Sequence, residues 1–80
     1  MIEFNTDIEE LKEIVRSNGE ENNLNYAPNK LVRNVLIEDG NGKYKVVLVR
    51  YYNYSNAYYY TDEHGNDSAI KYIKKWCLID

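Results

Sequence analysis

The tightest constraint on the fold is the tetrapeptide Asp39-Gly40-Asn41-Gly42, set between two aliphatic runs. Two glycines so close together relieve the positive φ angles that a tight hairpin demands. Upstream, Leu31 to Glu38 is rich in Val, Leu and Ile and reads as a strand; downstream, Lys43 to Tyr52 reads as its partner. The interior of the second run, Val46-Val47-Leu48-Val49, is apolar at both parities, which places it centrally in the sheet. Asn53 to Asn56 then forms a second turn, Ala57 to Thr61 a third strand, and the wholly polar stretch from Asp62 to Asp67 a third turn.

A helix precedes the hairpin. Thr6 and Glu9 form a Thr-x-x-Glu capping box, and Asp7, Glu9 and Glu10 fill the first turn, where the helix dipole favours negative charge. Ile8, Leu11, Ile14 and Val15 follow on one stripe, with Glu9–Lys12 and Glu13–Arg16 as pairs on the wet side. Asn18-Gly19 ends the helix, with Gly19 suited to the left-handed position, so the spacing predicts a helix over 7–17. Residues 19–30, rich in Asn and containing Gly19 and Pro28, read as a loop pinned to the core by Leu24 and Tyr26. The stretch from Ser68 to Ile79 fits two patterns, a strand from about Tyr72 to Ile79 or a short helix capped by Asp67 or Ser68; the strand is favoured. The expected fold is α+β, one N-terminal helix packed on a three- to four-stranded antiparallel β-meander, with residues 1–80 a single small domain.

Length supports that economy. A chain of 80 residues buries only about 60% of its unfolded surface, too little for a deep catalytic cleft or a dinucleotide-binding unit. Cys77 is the one cysteine, so no internal disulfide forms. The acidic first ten residues lack a basic region followed by an apolar one, and no apolar run approaches the roughly 20 residues of a membrane span, so a cytoplasmic setting is expected. The chain starts at Met and ends just after an apolar segment, which suggests a whole small gene product. Its bias toward Asn, Tyr, Ile and Lys matches AT-rich coding, as in an AT-rich bacterium or its phages. Charge is uneven: residues 1–39 carry nine acids and four bases, and residues 40–80 four acids and six bases, for a net of −3.

The chemically unusual segment runs from Tyr51 to Tyr60, in which six of ten residues are Tyr and most of the others Asn or Ser. Tyrosine offers a large ring, a polar tip and few torsions to freeze, and Tyr mixed with Ser and Asn is the composition of loops that recognise protein surfaces. Tyr51, Tyr52, Tyr54, Tyr58, Tyr59 and Tyr60 are therefore taken as partner-binding residues, since one short helix covers only some of these rings and the surplus faces outward. Tyrosine is also an ordinary strand residue that widens a thin core. Glu9, Glu10 and Glu13 join the set as an acidic helix face apt for a basic partner surface, although such a face more often is simply solvated.

Other constellations carry less. The bases Lys43, Lys45, Arg50, Lys71, Lys74 and Lys75 beside the tyrosines suit a nucleic-acid or nucleotide binder that stacks bases on exposed rings, but no nucleic-acid motif accompanies them. Asp62, Glu63, His64 and Asp67 match neither a calcium loop nor a zinc spacing and read as a polar turn. Cys77 beside Trp76 reads as a small buried hydrophobe, with no base, orienting acid or oxyanion site to make a nucleophile with His64. No catalytic residue, metal or cofactor is expected. In size, acidity and apparent independence the chain resembles small inhibitor proteins carried by phages and mobile elements, such as inhibitors of bacterial defence enzymes or immunity proteins for toxins. The resemblance implies a non-enzymatic module that occupies the working surface of another protein, for instance a nucleic-acid-handling enzyme with a basic groove. Homodimerisation by pairing of open strand edges is a subsidiary expectation.

Overall fold

The structure, a computed structural model, describes residues 3–24 and 27–79. The helix α1 spans Ile8–Asn18, one residue later at each end than the periodicity suggests. The cap is Asp7 rather than Thr6: Asp7 has extended backbone, and its Oδ1 accepts the amides of Glu9 at 3.0 Å and Glu10 at 3.3 Å. Asn5 Oδ1 takes the Asp7 amide in turn, at 2.7 Å, so a short carboxylate already held in place wins over the threonine hydroxyl. The apolar stripe lies as expected, with Leu11 and Val15 fully buried and Ile8 and Ile14 packed beside them.

The helix end departs from the expected left-handed glycine. Gly19 is extended (φ −69°, ψ 151°), a conformation open to any residue. Space, not torsion, selects glycine: a Cβ here would lie 2.4 Å from the Val15 carbonyl oxygen and 2.9 Å from that of Leu31.

Among the described residues six strands, all paired antiparallel, form the sheet: β1 (Glu20–Leu24), β2 (Ala27–Glu38), β3 (Tyr44–Tyr52), β4 (Ala57–Thr61), β5 (Asp67–Ala69) and β6 (Lys75–Leu78). Their order is β1-β2-β3-β4-β5, with β6 also on β2. The long strand β2 thus shares one edge between two partners, β1 opposite Ala27–Leu31 and β6 opposite Val35–Glu38. The change of partner coincides with an irregularity between Val32 and Val35, where Asn34 adopts a left-handed φ of 59° and its carbonyl accepts the Ile79 amide at 3.1 Å.

The segment read as a loop over 19–30 is therefore mostly a β-hairpin. Glu20-Glu21-Asn22-Asn23 has little intrinsic strand preference, and pairing with β2 overrides it. The proposed pins, Leu24 and Tyr26, fall outside the residues whose side chains are described. The C-terminal ambiguity resolves into both patterns in series, a single 3-10 turn over Ile70–Tyr72 and then β6, shorter than the expected strand.

The Asp39 turn forms where the sequence places it, but of its two glycines only Gly42 takes a positive φ. Asp39 Oδ1 accepts the amides of Asn41 and Lys43, each at 2.9 Å, and Lys45 Nζ pairs with its other oxygen at 3.2 Å. The Asp62 turn repeats the device, its Oδ1 accepting the amides of His64 at 2.9 Å and Asn66 at 3.0 Å. Gly42 and Gly65 supply the positive φ in the two turns.

One sheet face carries the core: Val35, Ile37, Val47, Val49, Tyr60 and Trp76 pack with Leu11 and Val15 of the helix. Trp76 locks this side, its Nε1 donating to the Asp7 carbonyl at 3.0 Å while its backbone exchanges two hydrogen bonds with Asn5. The opposite face, called the outer face below, has no helix against it among the described residues.

Candidate functional site

Strand register sorts the tyrosines by face. Tyr51 stands opposite Tyr58, and Val49 opposite Tyr60, all on the helix side; Arg50 stands opposite Tyr59, and Tyr52 opposite Ala57, on the outer side. The expected outward row of phenols is thus divided. Tyr60 is only 5% exposed and belongs to the core, so it is no part of an open surface. Tyr51 and Tyr58 pack on the core margin with ring centroids 4.7 Å apart. The Tyr51 hydroxyl donates to Asn56 Oδ1 at 2.8 Å, across a turn that Asn56 closes with a left-handed φ of 53°. Burial pushes the Tyr58 phenol above the ordinary tyrosine value, opposed by the positive charge of Arg16.

On the outer side, Tyr52 and Tyr59 meet edge to face at 5.4 Å. Arg50 Nη1 donates to the Tyr52 hydroxyl at 3.3 Å, and Arg50 Nε is enclosed with no hydrogen-bond partner among the described residues. Leu31, opposite Arg50, is only 3% exposed although it is outside the main core cluster. Tyr54, in the turn between the strands, is 89% exposed. The β3–β4 hairpin therefore ends in two tyrosine pairs, one on each face, with a third kind of tyrosine at its tip. Such pairs hold the rings in fixed positions before any partner arrives.

The acidic helix residues are exposed, but each already has a partner within the chain. Glu9 pairs with Lys12 at 3.2 Å, Glu13 with Arg16 at 2.7 Å, and Glu10 accepts Asn5 Nδ2 at 2.6 Å. Arg16, then Ser17, hold the Glu13 carboxyl below its ordinary value. Lys12 Nζ also lies 5.4 Å from the Tyr58 ring centroid, which joins the helix surface to the tyrosine hairpin.

The sequence reading passed over a second group on the outer face. Leu36 and Val46 stand opposite one another, flanked by Cys77 on β6, with Leu48 further along β3 and Glu38 opposite Tyr44 at the other end. Val46 is 47% and Tyr44 53% exposed. Phe4 reaches to 5.7 Å from the Tyr44 ring, and Lys75 Nζ lies over both rings at 4.8 and 5.5 Å. Cys77 is half-buried here rather than buried in the core. The signal was the unbroken run from Val46 to Val49, whose outward members are left exposed at Val46 and half-buried at Leu48.

The polar residues from Asp62 to Asp67 serve the turn described above. The Asn66 amide, and after it the His64 amide, hold the Asp62 carboxyl below its ordinary value. No cluster of metal-ligating side chains occurs among the described residues, and no helix among them is long and apolar enough to cross a membrane. The chain matches no protein-family model, no curated protein and no solved structure.

Proposed function

We propose that the chain is a small, cytoplasmic, non-enzymatic protein-binding module of the inhibitor type, which grips a partner's working surface with the end of its β3–β4 hairpin. The observation that supports this reading is the exposed Tyr54 between the Tyr51–Tyr58 and Tyr52–Tyr59 pairs. Large rings already fixed in place lose little conformational entropy on contact, which is why aromatic residues dominate binding hot spots. The nearby Glu9 and Glu13 extend the surface with acid groups suited to a basic partner, such as the groove of a nucleic-acid-handling enzyme.

Stacking of bases is the competing use of the same rings. Edge-to-face packing of Tyr52 and Tyr59 offers no pair of parallel platforms, which favours the protein partner. A photo-crosslinking side chain at position 54, compared with one at position 64, tests the proposal in extract from the source cells. The expected result is one discrete protein adduct from position 54, competed by unlabelled wild-type chain and not by Tyr52→Ala/Tyr59→Ala. Equal labelling from both positions, or labelled nucleic acid in place of protein, refutes it.

A further inference from the structure

We infer that the outer sheet face is the interface of a homodimer, in which two copies stack sheet on sheet as the halves of a β-sandwich. The middle of strand β3, Val46 to Val49, is apolar at both parities, the pattern of a strand buried on both faces, yet the helix covers only one. Exposed Val46 and Tyr44, with half-buried Leu36 and Leu48 beside them, form the strip on the other.

Area and charge both point to a second copy. The nine residues of β3 span about 30 Å, and the strands beside it about 20 Å across, so the face offers roughly 600 Å² in projection. That approaches the roughly 800 Å² per partner of a standard stable interface. The charges on this face are mixed: some stand at its two ends, and Arg33 and Glu63 flank the strip beside Leu48. Glu38 and Lys75, paired at 3.8 Å, flank the Tyr44 end, while Arg50 and Glu20, the latter paired with Arg33 at 3.6 Å, share the row that contains Leu31 near the other. A two-fold axis lying between the sheets, across the strands near Leu48, reverses strand direction in the second copy. Glu38 then faces the region of the copy's Arg50, and Lys75 that of its Glu20, while the aliphatic strip lies on itself. Edge pairing is the weaker route to a dimer: β5 has three residues, and β1 begins with two glutamates.

Sedimentation equilibrium of the whole chain, from about 1 to about 200 μM, tests the inference, with a dimer twice the 9.5 kDa chain mass expected toward the upper end. Val46→Glu is expected to weaken association by at least about 100-fold, because it leaves a buried charge unpaired. Glu38→Arg is expected to weaken it as well, and Glu38→Arg/Arg50→Glu to restore it. Buried Trp76 emission verifies that each variant is folded. A measurement on the unaltered chain stands beside these: the rate at which a maleimide labels Cys77 falls as protein concentration rises. A monomer at every concentration overturns the inference. So does a dimer that survives folded Val46→Glu, a charge swap that fails to restore association, or a Cys77 rate independent of concentration. Arg50 and Tyr52 lie on this same face, so a dimer covers the Tyr52–Tyr59 pair; the position-54 crosslink is therefore run well below the concentration at which the chain associates, where each proposal fails on its own result.

Discussion

Replacing Gly19 with alanine isolates a single physical cause. Backbone torsion is not at issue, since φ −69° and ψ 151° suit alanine. Through the unfolded chain alone, a Gly→Ala change at a compatible position stabilises by about 0.4–1 kcal/mol. Against this stands contact. The new methyl would sit 2.4 Å from the Val15 carbonyl oxygen, and 2.9 and 3.1 Å from the Leu31 carbonyl oxygen and amide nitrogen, where ordinary contact begins near 3.4 Å. All three atoms are backbone, so no side-chain rotation relieves them. Relief takes a shift of about 1 Å between residue 19 and the Val15 carbonyl, so the last turn of α1 must open, weakening the 3.1 Å bond from the Gly19 amide and disturbing Val15 in the core. Overpacking of this kind costs about 1–3 kcal/mol, so the balance is a loss of about 1–2 kcal/mol. For a chain of this size that lowers the melting temperature by about 5–15 °C. Thermal unfolding followed by far-ultraviolet circular dichroism reads the change. Gly65 is the control: nothing lies within 4 Å of its Cβ position, but φ is +82°, so Gly65→Asn is tolerated where Gly19→Asn is not. A Gly19→Ala chain that melts at or above the wild type refutes the close-approach argument.

Two further predictions concern the turns and the tryptophan. The Lys43 amide, with smaller help from the Asn41 amide and Lys45, holds the Asp39 carboxyl below its ordinary value, as backbone amides do for Asp62. A carboxyl depressed by folding stabilises the fold above its unfolded pKa and loses that contribution as pH falls through the depressed folded value. Stability should therefore drop on the acid side of the ordinary carboxylate range, and Asp39→Asn/Asp62→Asn should flatten that limb in denaturant titrations at stepped pH; an unchanged limb contradicts the assignment. Trp76→Phe removes the bond from Nε1 to the Asp7 carbonyl and part of a buried ring, and should cost about 1–3 kcal/mol, read as a lower urea midpoint. An unchanged midpoint means the ring is not what holds the helix start against β6.

Local chemistry explains which parts of the molecule were legible in advance. The helix was visible because Ile8, Leu11, Ile14 and Val15 repeat at helical spacing, and the β2–β3 and β3–β4 hairpins because Asp39 to Gly42 and Asn53 to Asn56 mark their turns. Strand β1 was hidden, since its sequence is polar and its existence depends on a partner further along the chain. Within the tyrosine segment, alternation showed that the rings divide between two faces. Only the register, with Tyr60 opposite Val49 and Tyr59 opposite Arg50, showed which face each one takes. The outer strip escaped notice for a related reason: the run Val46 to Val49 announces burial on both sides, but nothing local says that one side is left to another molecule.

The seat of β6 on β2 carries a kinetic consequence. Trp76 closes the core and ties down the residues that precede α1, so a nascent chain still short of residues 75–78 lacks one wall of its interior. On the ribosome the helix and the β2–β3 hairpin emerge first and wait with apolar surface showing. Final closure is a late, long-range event, which makes the half-made protein the form most exposed to chaperones and to aggregation.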